Sequence, residues 1–420
     1  MVKNILMAFL ILVTGNAVAQ QMETDFPLTF RVKITNPLNV ARENILVVLS
    51  PEQISKVAAK FNDKAFVVLD GGKEIPSQYN LHDTDDTGVA FVLEKLMPSE
   101  SREVTVRYNV TGSVMRNYAK RTQAELSRKT GGEWKGREYM AGAFQNVEYL
   151  RVPPEHKDHS WFIRYEGPGW ESDKVGYRFY LDQRNATDVF GKKVPEPVLQ
   201  NVGLDGFDSY HNLQPWGMDV MKVGKSLGIG SLGATVDGKT IRVEKTDSVD
   251  CRIVENGAVF SSIETNYSGW LVGAKKHDVR SKISIHAGTR LTHQQFDISN
   301  LPGNLVTGIV KDTKAKLFKQ TGSEQQWAYL ATYGKQSLNS DELGLAVLVK
   351  PSTLAAFSED EFSDIMQLKP GQGKLEYYFL AAWVGEPGGI ANEKQFLDYV
   401  NQVAKELANP VKVVMMADKK

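Results

Sequence analysis

The run Ala65-Phe66-Val67-Val68-Leu69-Asp70-Gly71-Gly72 decides the fold class. An apolar, β-branched segment ends in Asp-Gly-Gly, which is a strong signal for a tight turn between two strands. Other short strands are predicted around it, each bounded by turn residues, at 30–34, 43–49, 88–93 and 102–108. Strands this short at this spacing predict a small β-sandwich, which we place at residues 22–112, with one short helix at about 51–60.

The strand pattern returns after residue 138 and continues to about 385, for example at 175–181, 258–267, 290–298 and 343–349. A parallel α/β fold would need helices of ten or more residues between the strands, and the pattern does not provide them. We therefore predict a mainly β protein. Its second domain, 138–420, is predicted to be a large antiparallel β-sandwich of the supersandwich type known from carbohydrate enzymes, with a C-terminal helix that begins after the N-cap Asn392.

Residues 113–137 differ in composition from both predicted domains. They are rich in Lys and Arg, contain Gly131-Gly132, and have only a thin apolar stripe of Tyr118, Ala124 and Leu126. We predict a solvated basic linker helix here, at the domain boundary, rather than an element that binds polyanions.

Charge and cysteine content exclude several classes of protein. The 420 residues include 50 Lys+Arg and 50 Asp+Glu, so no excess of positive charge favours nucleic acid as a partner. The single cysteine, Cys251, excludes intramolecular disulfides, zinc fingers and iron–sulfur clusters.

The first residues have the pattern of a secretory signal peptide. Lys3 precedes an apolar run at 5–13, and Ala17-Val18-Ala19 is a typical cleavage site. The run is well short of the ~20 residues that span a bilayer, so it does not predict a membrane anchor. We predict a signal peptide at 1–19 and a bacterial protein that is periplasmic or secreted.

Residues 155–225 carry the chemistry, with three of the seven histidines. If 175–184 is one strand, its apolar residues share one face and Arg178, Tyr180, Asp182 and Arg184 share the other. Such a face could hold a substrate carboxylate or sulfate between two guanidinium groups. It could also be a solvated ladder of ion pairs, and the pattern leaves both open.

Two tryptophans follow turn residues. Gly167-Pro168-Gly169 precedes Trp170, with Glu171 and Lys174 beside it, and Pro215 precedes Trp216. An exposed indole on a polar loop can stack on a sugar ring, although either ring could fold back onto the core. We predict these four side chains to contact substrate.

Histidines supply candidates for proton transfer. His211 and His159 are the main candidates, Asp219 lies downstream of the first, and His293 is a secondary candidate for substrate contact. His156 and His159 could ligate a metal, but no third ligand is identified, so we predict neither metal nor cofactor.

Two kinds of reaction fit these residues. A glycoside hydrolase would use two carboxylates among Glu166, Glu171, Asp173 and Asp182. Elimination beside a uronate carboxylate needs a group to neutralise that carboxylate, a base and an acid. The second set is more complete, and its members are Arg178, Arg184, Tyr180, His159 and His211.

The run from Glu166 to Asp182, Glu-Gly-Pro-Gly-Trp-Glu-Ser-Asp-Lys-Val-Gly-Tyr-Arg-Phe-Tyr-Leu-Asp, resembles the signature of a bacterial family catalogued as a domain of unknown function. Segments 185–193, 216–219 and 383–390 are similar to it as well. The resemblance implies a secreted protein that acts on uronate-containing glycans such as pectin or ulvan, and specifically an ulvan oligosaccharide dehydratase.

The leading hypothesis is a carbon–oxygen lyase acting on uronate-ended oligosaccharides. In it, Arg178 and Arg184 bind the carboxylate, His211 or His159 is the base and Tyr180 is the acid. A glycoside hydrolase and a glycan-binding protein without catalysis are the alternatives. The sequence predicts no oligomeric state.

Overall fold

The computed structural model describes residues 20–369 and 371–418, so the predicted signal peptide at 1–19 lies outside the described part. The chain forms two compact units. Unit 1 consists of the chain up to Ala119 together with the segment from Pro410 onward, and unit 2 is Lys120–Asn409. The predicted boundaries differ from this division, because they assigned everything after residue 137 to the second domain.

Unit 1 holds two antiparallel sheets. Its elements are β1 (Leu28–Thr35), β2 (Arg42–Leu49), α1 (Pro51–Val57), β3 (Phe66–Asp70), β4 (Lys73–Ile75), β5 (Ser77–Asn80), β6 (Gly88–Leu96), β7 (Ser101–Tyr108) and β29 (Lys412–Ala417). Residues 20–25 are also helical. One sheet has the order β29-β1-β7-β3-β4 and the other β2-β6-β5. Gly71 and Gly72, both with positive φ, form the tight turn between β3 and β4 that the sequence predicts.

Alternation of side chains explains the sandwich in unit 1. On β1, Phe30, Val32 and Ile34 are fully buried, while the residues between them face outward. Buried residues from both sheets form one apolar core. Ser50 caps α1 by accepting a hydrogen bond from the backbone N–H of Gln53.

Unit 2 is also built mainly from antiparallel strands. Its strands are β8 (Thr122–Glu125), β9 (Ser127–Lys135), β10 (Glu138–Asn146), β11 (Tyr149–Arg151), β12 (Gly169–Ser172), β13 (Val175–Phe179), β14 (Thr187–Lys192), β15 (Gly217–Asp219), β16 (Gly233–Val236), β17 (Lys239–Arg242), β18 (Ser248–Asn256), β19 (Phe260–Val272), β20 (Lys275–His286), β21 (Leu291–Ile298), β22 (Leu305–Val310), β23 (Ala315–Gln320), β24 (Ala328–Gly334), β25 (Leu343–Val349), β26 (Leu354–Glu359), β27 (Ser363–Leu368) and β28 (Lys374–Trp383). One helix, α2 (Glu393–Ala408), follows them, and short 3₁₀ turns lie at Arg164–Glu166, Leu199–Asn201 and Ser209–His211.

These strands form one large sheet, two smaller sheets and a hairpin. The large sheet has the order β11-β18-β19-β20-β21-β28-β25-β24-β23, and the smaller ones β15-β14-β13-β12-β8 and β17-β16-β22-β27-β26. A single core takes buried residues from all three, such as Tyr177, Ile263 and Met366. The prediction of a mainly β protein with large antiparallel sandwich packing is confirmed.

The helix predicted near the end of the chain is α2. Asn392 caps it, and Phe396, Val400 and Val403 form its buried face. No helix within residues 20–369 or 371–418 is long and apolar enough to cross a membrane.

The helix predicted over 113–137 is wrong, because this stretch contains β8 and the whole of β9 and no helix. On β9, Trp134 packs edge-on against Tyr139 of β10, while its neighbours Glu133 and Lys135 are exposed. Of the three residues in the predicted stripe, Ala124 lies in β8 and Leu126 directly after it, both buried, and Tyr118 precedes the strand.

Candidate active site

The candidate site is a network of charged side chains at one end of β13, and Arg178 is its centre. Arg178 lies opposite Asp188 of β14, and β14 in turn pairs with β15, which ends at Asp219. The Arg178 guanidinium donates from Nε and Nη2 to Asp188 Oδ2 at 3.1 and 2.8 Å, and from Nη2 to Asp219 Oδ2 at 2.6 Å. Arg178 is only 2% exposed, so both carboxylates meet it away from water.

Two tyrosine hydroxyls complete the surroundings of Arg178. The Tyr180 hydroxyl donates to Asp188 Oδ2 at 2.6 Å, and the Tyr210 hydroxyl accepts from Arg178 Nη1 at 3.1 Å. Both rings are buried. Burial raises the pKa of Tyr180 well above its ordinary value, so the phenol keeps its proton.

Glu166 links Arg178 to a second guanidinium. Glu166 Oε2 lies 3.7 Å from Arg178 Nη1, and Oε1 lies 2.8 Å from Arg184 Nη2. Arg184 also pairs with Asp182 at 2.5 Å and with Asp158 at 2.8 Å. We call these seven side chains the charged network: Arg178, Arg184, Asp158, Glu166, Asp182, Asp188 and Asp219. It contains five carboxylates and two guanidinium groups.

The surplus of carboxylates changes their titration. Burial and the neighbouring Asp219 raise the pKa of Asp188 to about 7, although Arg178 opposes the shift. Burial also acts against ionisation of Glu166, but Arg178 and Arg184 outweigh it and lower the pKa of that carboxyl.

Two histidines lie where the network meets solvent. His211 Nε2 is 3.5 Å from Asp219 Oδ2, and His159 Nδ1 is 2.5 Å from Asp158 Oδ1. Their side chains are 42% and 53% exposed. The hydrogen bond to Asp219 raises the pKa of His211, which favours its charged form.

The loop before His211 brings the two histidines to one rim. The ring of Phe207 packs edge-on against His159 with ring centres 5.0 Å apart. Phe207 precedes His211 by four residues, so their Cα atoms are at most about 14 Å apart. We call His159, Phe207 and His211 the rim of the charged network.

The backbone under this rim is strained. His159, Trp161, Tyr165 and Glu166 all have positive φ, between 36° and 73°, a region that residues with a side chain seldom adopt. Each such residue costs of order 1–3 kcal/mol, and clusters of them occur at active sites.

The structure corrects the predicted role of the polar face. The strand β13 ends at Phe179, so 175–184 is not one strand. Arg178, Tyr180 and Asp182 are buried within the network rather than facing solvent, and Arg184 is 19% exposed. Both guanidinium groups are already held by carboxylates, as in the ion-paired alternative, and their binding of a substrate anion stays a prediction.

Trp170 and Glu171 are structural residues. Trp170 is 1% exposed, stacks on Tyr177 and donates from Nε1 to Thr292 Oγ1 at 2.8 Å. Glu171 forms a fully buried ion pair with Lys192 at 2.7 Å and accepts two backbone N–H groups. These contacts are those of residues that stabilise the fold, and the predicted contact of both side chains with substrate stays a prediction.

Three other residues that the sequence predicts to contact substrate lie outside the charged network. Lys174 sits in the turn before β13, four residues or about 13 Å along the strand from Arg178. His293 stacks on Tyr378 of the large sheet, away from the network's own contacts. Trp216 is half-buried next to β15, so its predicted contact with substrate stays a prediction.

The carboxylates that a hydrolase would use are also occupied. Glu166 and Asp182 pair with Arg184, and Asp173 is held by Arg121 at 2.7 Å. Asp158, His159 and Glu166 bring ligand atoms within 4.8 Å of one another, as a metal would require. The Arg184 guanidinium already pairs with both of these carboxylates and so supplies the positive charge there.

Sequence reasoning missed Asp188, Tyr210 and Asp158 as members of the site. Asp188 follows Arg178 by ten residues across the β13–β14 connection, so a hairpin register would have placed them face to face. Tyr210 directly precedes His211, which the sequence did single out.

The chain is similar in structure to solved proteins with which it shares little sequence identity. Two solved structures from Enterococcus faecalis resemble 93% of this chain at 9% identity. One is described as a protein in glycosyl hydrolase family 38 (TM-score 0.48) and the other as an alpha-mannosidase (TM-score 0.49). The chain spans 48% and 46% of those chains, about half their length. No curated protein matches it significantly.

The family match is extensive. Residues 34–413 match the family described as Domain of unknown function (DUF4861), and this range includes every residue of the charged network and both rim histidines. Because the match covers most of the sequence, the chain belongs to this family of unknown function.

Proposed function

We propose that this protein is a carbon–oxygen lyase that eliminates water from uronate-ended oligosaccharides, using His159 and His211 for proton transfer. The observation that carries the proposal is the pair of exposed histidines, each next to a carboxylate and both at the edge of one charged network. The other predicted proton-transfer groups are buried or held in ion pairs.

The two histidines suit opposite roles. Nδ1 of His159 lies 2.5 Å from Asp158 Oδ1, so Nε2 is the ring nitrogen that can take a proton from substrate. Asp219 raises the pKa of His211 above its ordinary value, and a charged imidazole can donate a proton. We therefore assign His159 as the base and His211 as the acid. Tyr180 becomes a positioning residue, because its hydroxyl already donates a hydrogen bond to Asp188.

The reaction balances with these groups alone. His159 removes the proton from the carbon next to the uronate carboxylate, and the electron pair of that C–H bond forms the C=C bond. The neighbouring C–O bond breaks, and the departing oxygen takes the proton of His211. The products are water and an unsaturated uronate, and the histidines have exchanged protonation states until solvent resets them.

Mass spectrometry after incubation with glucuronate-ended oligosaccharides tests the proposal. A product lighter by one water, together with ultraviolet absorbance of a conjugated uronate, is expected. Two fragments whose summed mass is greater by one water would indicate a glycoside hydrolase, and saturable binding without any change of mass would indicate a glycan-binding protein. Either result would overturn the proposal.

Variants at the rim sharpen this test. His159→Gln and His211→Gln should each lower kcat at least a hundredfold, in line with the usual contribution of general acid–base groups. His82→Gln is the matched control, because His82 is an exposed histidine of unit 1. Full activity in either rim variant would contradict its assigned role.

We further propose that the protein is exported after removal of residues 1–19 and acts in the periplasm or outside the cell. The support is the charge, apolar length and small residues of this segment. N-terminal sequencing of the protein from its native host should begin at Gln20, and retention of Met1 would contradict export by this route.

A further inference from the structure

His156 is a buried histidine beside the strained backbone of the rim, and it carries none of the roles assigned so far. It is 5% exposed, and each of its ring nitrogens has a hydrogen-bond partner. Nδ1 is 2.8 Å from Ser160 Oγ, and Nε2 is 3.3 Å from the backbone oxygen of Glu166. Burial lowers the pKa of His156, which favours the neutral ring.

The two partners decide which ring nitrogen of His156 carries the proton. A carbonyl oxygen can only accept, so Nε2 of the neutral ring donates to Glu166 O and Nδ1 accepts from the Ser160 hydroxyl. Ser160 is fully buried, and its Oγ also accepts the backbone N–H of Phe162 at 3.5 Å. The imidazole therefore ties Ser160 to Glu166 across the segment 156–166.

The same segment carries His159, and Glu166 holds that residue as well. Glu166 Oε1 accepts the backbone N–H of His159 at 3.0 Å. Glu166 thus bonds to His156 through its carbonyl group and to His159 through its carboxylate. His159, Trp161 and Glu166 all have positive φ, and such a backbone persists only where surrounding contacts hold it. The imidazole of His156 is one of these contacts.

We propose that His156 is a positioning residue for the base, because its ring ties Ser160 to Glu166 and thereby fixes His159 at the edge of the charged network. This inference rests on the proposed elimination, in which His159 removes the proton. The buried ring of His156 acts on His159 and not on substrate. The backbone N–H of Leu181 donates to the same Glu166 O at 3.0 Å, so Glu166 keeps one of its two backbone partners when the ring is removed.

A double-mutant cycle on kcat tests this role. His156→Leu should lower kcat at least about tenfold and change KM less than about twofold, because the base is displaced while the rest of the site stays in place. Adding His156→Leu to His159→Gln should lower kcat less than about twofold further, since a residue that acts through the base has no effect once the base is gone. Losses of kcat that multiply in the double variant would overturn the proposal.

Two further variants separate positioning from folding. His156→Gln can still donate an N–H group toward Glu166 O and should retain more of kcat than His156→Leu. His277→Leu is the matched control, because His277 is 2% exposed and its Nδ1 lies 3.2 Å from Ser299 O in the large sheet. It should lower the urea midpoint and leave kcat unchanged. An equal loss of kcat in His156→Leu and His277→Leu would overturn the proposal.

Nitrogen NMR of the histidine rings at constant pH gives a readout that does not require activity. His156→Leu should shift the Nδ1 and Nε2 resonances of His159, whereas His277→Leu should leave them in place. Unmoved His159 resonances in His156→Leu would overturn the positioning role, whichever reaction the protein catalyses. Shifted resonances, together with a parent protein that eliminates no water, would instead refute the proposed function and leave the positioning role intact.

Discussion

Replacement of Tyr180 by phenylalanine removes one hydroxyl from the centre of the charged network. The ring keeps its contact with the Arg184 guanidinium, whose carbon lies 4.0 Å from the ring centre. What is lost is the 2.6 Å hydrogen bond to Asp188, between two buried groups. A hydrogen bond to a charged group contributes about 1.5–3 kcal/mol, and one between neutral groups about 1 kcal/mol.

The protonation of Asp188 makes this loss depend on pH. The folded-state pKa of Asp188 is raised to about 7, so folding favours its protonated form. Its contribution to the free energy of unfolding is therefore largest at low pH and falls as pH rises from about 4 to 7. We expect Tyr180→Phe to lower the free energy of unfolding by about 1 kcal/mol at pH 5, where Asp188 is neutral, and by about 2–3 kcal/mol at pH 8, where Asp188 is charged.

Urea denaturation followed by tryptophan fluorescence measures this difference. All seven tryptophans lie in unit 2, so the signal reports the unit that contains Tyr180. Tyr267→Phe is the matched control, because its buried hydroxyl accepts only a neutral hydrogen bond, from Asn185 Nδ2 at 3.0 Å. Its cost should be about 1 kcal/mol at both pH values.

One outcome would refute the reasoning directly. If Tyr180→Phe unfolds like the parent protein at both pH values but no longer catalyses elimination, the hydroxyl acts on substrate rather than on Asp188. Tyr180 would then be the acid, and the assignment of His211 to that role would fail.

Three other substitutions test the roles assigned to Glu171, Asp219 and Trp170. Glu171→Gln should lower the free energy of unfolding by about 3–5 kcal/mol, because it leaves the buried Lys192 charge without a partner. In urea denaturation the double variant Glu171→Gln with Lys192→Met should recover much of this loss, and equal losses in the two variants would contradict the ion-pair account. Asp219→Asn should lower the pKa of His211 and move the alkaline limb of the pH profile of kcat/KM to lower pH, and an unmoved limb would exclude His211 as the acid. Trp170→Phe should lower the urea midpoint and leave substrate Kd unchanged, whereas weaker binding at unchanged stability would restore it as a sugar contact.

Much of the fold was predictable because local patterns agree with it. The Asp70-Gly71-Gly72 turn and the alternation along β1 depend only on nearby residues, and both are confirmed. The helix predicted over 113–137 failed for a tertiary reason. Thr122, Gln123 and Glu125 of β8 are buried polar residues, and only their partners in the folded protein make that burial tolerable.

The membership of the site was partly predictable, but its accessibility was not. Arg178, Tyr180 and Arg184 do lie together, as their spacing indicates. Alternation along one strand cannot show that Asp188 and Asp219 of the next two strands fill the space in front of them. A sequence shows which charges share a face, whereas the adjoining strands decide whether those charges reach water.

The return of the chain to β1 has a consequence for synthesis. Strand β29 pairs with β1 from Phe30 to Thr35, so the five-stranded sheet of unit 1 lacks its edge until residues 120–409 have left the ribosome. Until then β1 offers unpaired backbone groups to any neighbouring chain, which is a known route to aggregation. A truncation placed after α2 would make this exposure permanent. Loss of residues 410–418 should therefore damage the first-made unit rather than the unit next to the cut.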